Sequence, residues 1–101
     1  MAASPMTPLC LVRLTYTAPL EQVDAHRAPH VDWLKKLADE KLMIIAGRTD
    51  PATGGVLLFR GEKAEVEPLA QTDPFVVNGV ATAEVIAFRA SITTEEIAAL
   101  L

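Results

Sequence analysis

The strands of this chain are apolar on both faces, and that feature limits the folds open to it more than any other. Read as a strand, Leu9-Cys10-Leu11-Val12-Arg13-Leu14-Thr15-Tyr16 sets Cys10, Val12, Leu14 and Tyr16 on one side, yet Leu9 and Leu11 on the other are also apolar. Val56 to Arg60 repeats this, with Leu57 and Phe59 against Val56, Leu58 and Arg60, and Thr82 to Ala90 sets Ile86 and Phe88 against Val85, Ala87 and Arg89. A sheet with one face in water alternates cleanly between apolar and polar residues, and these strands do not. Helices can cover one face. A second copy of the chain is the simplest cover for the other, expected to carry Leu9, Leu11, Val56, Leu58, Val85 and Ala87. The expected assembly is a homodimer burying at least about 800 Å² per chain. Higher oligomers through Ile97, Leu100 and Leu101 stay open.

Between the strands the spacing turns helical. Ala18-Pro19 closes the first strand, and residues 20–28 read as a short helical lead-in. Pro29 lacks an N–H and belongs in a first turn, so the main helix is expected from near Pro29 to about Lys41. Its period buries Val31, Leu34, Leu37 and Ala38 and exposes Asp32, Lys35, Lys36 and Asp39. Leu42 to Ala46 is a second strand ended by Gly47, and the turn Asp50-Pro51-Ala52-Thr53-Gly54-Gly55 leads back into the third. Glu62 to Thr72 predicts a second helix with Ala64, Leu69 and Ala70 inward, which Pro68 bends or delays at a cost of about 3 kcal/mol. Asp73 to Gly79 is a compact helical turn with a capping aspartate, a proline in first position and an Asn-Gly stop. After the fourth strand, Thr93 with Glu96 forms a capping box and Ile92 with Ile97 a staple for a short C-terminal helix. The order β-α-β-β-α-β predicts an α+β, ferredoxin-like fold: a four-stranded antiparallel sheet with its helices on one face, plus that terminal helix.

Size and charge narrow the class. The chain has 101 residues, enough for one core, and residues 9–101 read as a single domain behind a flexible N-terminal leader, 1–8. A net charge of −4 with nine scattered basic residues argues against nucleic acid and against anionic membrane surfaces. No apolar run approaches the roughly 18 residues of a membrane span. The leader lacks the basic and apolar regions of a secretion signal, and Cys10 stands alone, so a cytoplasmic location is the expectation.

Two segments carry candidate chemistry. Arg27-Ala28-Pro29-His30-Val31-Asp32-Trp33-Leu34 places a histidine at the start of one helix, and Asp73-Pro74-Phe75 places an aspartate at a helix terminus. A carboxylate brought against an imidazole fixes its tautomer and favours its protonated form, which makes a general acid/base pair. The plainer alternative keeps His30 as a polar residue of a first turn and Asp73 as the cap of the helix that Pro74 opens. Capping and catalysis are compatible, since one carboxylate oxygen can accept a backbone N–H while the other orients the imidazole.

The segment from Arg27 to Gly47, with Arg-x-x-His at 27 to 30, the Trp33-Leu34-Leu37 helix and the Ile44-Ile45-Ala46-Gly47 strand end, resembles the YciI-like (YCII-related) proteins. Asp73-Pro74-Phe75-Val76 with Gly79 resembles the second signature of that family. The likeness runs in matching order from about residue 9 to 90. It implies a dimeric α+β barrel of two ferredoxin-like chains, related in fold to muconolactone isomerases and small cofactor-free monooxygenases. It also implies an active site whose histidine and aspartate fall on His30 and Asp73, and elimination of halide from a chlorinated hydroxylated ring is the best-known activity assigned to a member. The chain departs from the family at Arg48, where many relatives carry proline, and at Pro68.

The remaining candidates surround that pair. An arginine is expected to hold an anionic group, with Arg13, Arg27 and Arg60 as substrate-binding candidates. Arg13, Arg60 and Arg89 would ring the pocket or, alternatively, pair with acids such as Glu84 at a dimer rim. Trp33 and Phe75 are expected to line the pocket, with Tyr16 as core or wall. His26 and His30 are four apart, but Pro29 between them and the missing His-Glu-x-x-His pattern speak against a metal. Cys10 reads as a buried small hydrophobe. The expectation is a cofactor-independent enzyme of lyase or isomerase type acting on a small polar ring compound or lactone. The alternative is a non-catalytic dimeric module that binds a small molecule or another protein.

Overall fold

The computed structural model describes residues 7–101. The elements are β1 (Thr7–Tyr16), α1 (Leu20–Asp24), α2 (Arg27–Asp39), β2 (Met43–Arg48), β3 (Gly54–Arg60), α3 (Lys63–Ala70), α4 (Pro74–Val77), β4 (Ala81–Ala90) and α5 (Glu95–Ala98). The sheet has the order β2-β3-β1-β4, every neighbouring pair antiparallel. β3 therefore lies between β1 and β2, the split βαβ arrangement of a ferredoxin-like α+β fold.

The core forms where the inward residues of β1 and β3 meet the helices. Cys10, Val12 and Leu14 pack beside Leu57 and Phe59 and beneath Val23, Leu37, Val66, Ala70 and Phe75, all buried. Gly54 lets β3 approach β1 closely, since a Cβ there would stand 1.9 Å from the Leu14 carbonyl oxygen, and a Cβ on Gly55 would stand 3.1 Å from the Gly47 carbonyl oxygen of β2. α2 stops at a Schellman motif, in which Lys41 N–H donates to the Ala38 carbonyl and Leu42 N–H to the Leu37 carbonyl. Lys41 holds the left-handed position there, with φ 60°.

Several local expectations need correcting. β1 starts at Thr7, which pairs with Ala90, so the strand takes in the last two residues of the expected leader; residues 1–6 lie outside the described residues. α2 starts at Arg27, two residues ahead of Pro29, and ends at Asp39; Pro29 is its third residue, where no intrahelical donor is lost. Ala38 is exposed. α3 runs unbroken through Pro68, and its buried residues are Val66 and Ala70 while Ala64 faces solvent. α5 is capped by Thr94, whose hydroxyl accepts from Ile97 N–H, in place of Thr93.

The largest correction concerns the second face of the sheet. Val85 lies opposite Val12 and Ala87 opposite Cys10, so both belong to the helix-covered side. Ile86, opposite Leu11, and Phe88, opposite Leu9, occupy the open face instead. With Ile45, Val56 and Leu58 they make an apolar surface on which Ile45 is 65% exposed and Ile86 45%. That open face remains more apolar than water alone would leave it.

Candidate active site

α2 and α4 converge on the helix side of the sheet, and the local sequence explains why each presents a candidate side chain. Asp73 is the N-cap of α4 with Pro74 in the first helical position, and its Oδ1 accepts from Phe75 N–H at 2.9 Å. His30 sits in the first turns of α2, one of two buried polar or charged residues among those described; the other is Asp73, at 0% exposure. His30 Nδ1 stands 2.7 Å from Asp73 Oδ1, within the range of a charge-assisted hydrogen bond. One oxygen thus serves both the helix cap and the imidazole. The expected division of labour between the two oxygens is not what forms: Oδ2 is buried with no partner among the described residues.

The imidazole is fixed from its faces as well as its edge. Phe75 stacks on it with centroids 3.8 Å apart and planes 10° from parallel, and Trp33 lies at 6.3 Å and 28°. Trp33 is held in turn by its Nε1–H donating to Thr72 Oγ1 at 3.0 Å, one residue before Asp73. With Nδ1 committed to Asp73, Nε2 is the ring nitrogen that has no protein partner among the described residues. His30 borders a cleft of about 170 Å³, together with Leu14, Tyr16, Arg27, Arg48 and Phe75.

The candidate arginines divide between three places. Arg27 reaches the cleft, where it is exposed and has no hydrogen-bond or ion-pair partner among the described residues. Arg13 lies on the open face, 3.5 Å from Glu84, the rim-pairing alternative. Arg60 is on that face too, with Nη1 donating to the Lys41 carbonyl at 3.2 Å. Arg89 is on the opposite side of the sheet from Arg13 and Arg60, paired with Glu62 at 3.1 Å. Arg13, Arg60 and Arg89 therefore do not ring the cleft. Phe75 lines it; Trp33 backs the imidazole and packs toward Phe59 without forming the cleft wall.

Two wall residues were not among the expected binding set. Arg48 ends β2, and its Nε–H donates to the Tyr16 hydroxyl at 3.0 Å while an Nη2–H donates to Asp24 Oδ1 at 2.5 Å. The hydrogen bond to Asp24 pushes the guanidinium pKa further up, against the opposing pull of desolvation, so Arg48 stays charged. β2 continues two residues past Ala46, beyond the expected stop at Gly47, and this returns position 48 to the Ala46 side of the strand. Among the described residues no group of three His, Cys, Asp or Glu side chains could hold a metal ion. His26 is the N-cap residue of α2, and His30 already spends Nδ1 on Asp73.

A ferredoxin-like α+β chain with a His–Asp pair buried beside a cleft is thus the class that fold and geometry define. Residues 9–89 match the YCII-related domain, and the chain belongs to that family. Among solved structures it is similar in fold to 5-chloro-2-hydroxyhydroquinone dehydrochlorinase from Burkholderia phenoliruptrix AC1100, solved in complex with 2,5-dihydroxybenzoquinone. The two share 24% identity with a TM-score of 0.65, over 80% of this chain and 91% of the other. No curated protein matches the sequence. No helix among the described residues is long and apolar enough to cross a membrane.

Proposed function

We propose that this protein is a small enzyme of lyase or isomerase type that moves a proton on an oxygenated ring compound or lactone. His30 is the general acid/base and Asp73 the residue that positions it. The observation that carries this reading is the 2.7 Å contact between His30 Nδ1 and Asp73 Oδ1 beside a cleft. With Nδ1–H donated to the carboxylate, Nε2 holds the free lone pair and takes a proton from a ring hydroxyl or ring carbon. In the elimination form of the reaction, the electron pair left behind moves into the ring and expels a leaving anion such as halide. The proton passes from His30 to water, so the substrate loses one acid molecule in all. Asp73 stabilises the transient imidazolium.

Cleft size and fold likeness support the substrate class. A cavity of roughly 150 Å³ holds one benzene, and this cleft is about 170 Å³. The dehydrochlorinase of similar fold is named for a hydroxylated, chlorinated ring. A second reading, a non-catalytic binding module, is favoured by one observation: the Phe75 N–H bond gives Asp73 Oδ1 a purely structural use. A panel of halogenated and unhalogenated hydroxylated rings and small lactones, followed by ultraviolet absorbance and halide release, separates them. His30→Ala is expected to cut turnover by about 10²-fold or more while the circular dichroism stays native. Full activity in that variant would overturn the catalytic reading, and binding across the panel without turnover would establish the module.

A further inference from the structure

The polar wall of the cleft is built around Arg48, and its hydrogen bonds account for part of that side chain only. A guanidinium carries five N–H donors. One goes to Tyr16 and one to Asp24, leaving three without a partner among the described residues. Those two contacts, with the guanidinium carbon 5.5 Å over the Tyr16 ring, hold the side chain in place at the cleft edge. The Tyr16 hydroxyl accepts from Arg48, so its own proton remains available to donate. Arg27, the other cation on the cleft, is exposed and unanchored. A donor that is already oriented loses less freedom on binding, so Arg48 is the better recognition element of the two.

We infer that Arg48 and Tyr16 form an anion-recognition site in this cleft, selecting ring compounds that carry a carboxylate or phenolate and orienting them toward His30. The orientation toward His30 rests on the proton-transfer reading; the recognition of the anion does not. Arg48 presents a charged N–H edge to the anion and Tyr16 donates its O–H beside it, the fork geometry that suits carboxylate oxygens. Asp24 tunes the site: it positions the guanidinium and at the same time offsets its charge.

The test uses salicylate and its uncharged amide, salicylamide, as calorimetric probes of the full chain at neutral pH. Wild-type protein is expected to bind salicylate more tightly than salicylamide. Arg48→Gln lowers salicylate affinity about tenfold or more and leaves salicylamide unchanged, the scale of a lost charged hydrogen bond. Asp24→Asn keeps an oxygen acceptor for the guanidinium but removes the charge that offsets it, and raises salicylate affinity. A mere structural brace between β2 and α1 predicts the reverse, weakening of both probes in both variants. Lys35→Gln, an exposed cation of α2 outside the cleft, binds salicylate as wild type does. Equal wild-type affinity for the two probes, Arg48→Gln with undiminished salicylate binding, or Asp24→Asn with weakened binding of both would each overturn the inference. If the Arg48 and Asp24 variants behave as stated while His30→Ala keeps its turnover, the anion site stands and the proton-transfer reading falls.

Discussion

Replacing Asp73 by alanine and by asparagine should separate the two uses of its Oδ1. Alanine removes the acceptor for Phe75 N–H, a cap worth about 1 kcal/mol, and strands the His30 Nδ1–H, a buried donor whose loss of partner costs about 1–3 kcal/mol. Because Asp73 is fully buried, bulk water does not stand in for the lost acceptor, and the total comes to about 3 kcal/mol. Asparagine keeps an oxygen where Oδ1 stands, so both bonds survive without their charge assistance. Its amide nitrogen falls where Oδ2 already lacks a partner. The loss there should be about 1 kcal/mol, the difference between charged and neutral hydrogen bonds. Urea unfolding by far-ultraviolet circular dichroism, at one fixed protein concentration, reads this directly. With a slope of about 1 kcal/mol per molar urea, the midpoints should fall by about 3 M for alanine and about 1 M for asparagine. An alanine variant within about 0.5 kcal/mol of wild type, the range of an unimportant surface change, would refute the reasoning. So would an asparagine variant less stable than the alanine one.

The open apolar face predicts a homodimer at micromolar concentration by light scattering, dispersed by Ile86→Asp; a wild-type monomer would contradict it. Cys10 is fully buried and its thiol is pushed up by that burial, so less of it is thiolate at pH 8 and it should react with a disulfide reagent only once the chain unfolds. Labelling of the native protein at the rate of a free thiol would show the core around Cys10 to be open. Gly54→Ala puts a methyl against the Leu14 carbonyl, backbone against backbone, and should cost about 3 kcal/mol or more by thermal or urea melting. Lys41→Gly removes the left-handed strain at the end of α2 and should stabilise by about 0.5 kcal/mol, readable as a rise in the urea midpoint; a fall would mean that the lysine side chain matters there.

What could be read from the sequence follows from where the physics is local. The α4 cap, the stop at Asn78-Gly79 and the four strands announce themselves through turn chemistry and period; the helix ends that carry His30 and Asp73 were recognisable too, while their meeting was suggested by the resemblance to the family's two signatures. β4 shows where that runs out. Both of its alternating sets are apolar at 85 to 88, so the strand itself cannot say which set faces the helices; pairing with β1 decides it. The same parity sends Arg89 to the other side of the sheet from Arg13. Val66 and Ala64 differ for a related reason, since a helix of eight residues leaves its phase to tertiary packing. Arg48 was visible only as a departure from its family's pattern, because its meaning lies in Asp24 and Tyr16, distant in sequence by 24 and 32 positions.

The oxygen that serves two masters also shapes how such a chain can change. In a mutant library sorted only for soluble, folded protein, Asp73 should survive although nobody asked for activity, because losing it loosens α4. Arg27, exposed and without a partner among the described residues, would drift within a few rounds. A sequence pool filtered in this way would keep the carboxylate of the proposed proton-transfer pair as a by-product of staying folded. Chemistry lost elsewhere in the cleft would then be recoverable by a handful of substitutions at the rim.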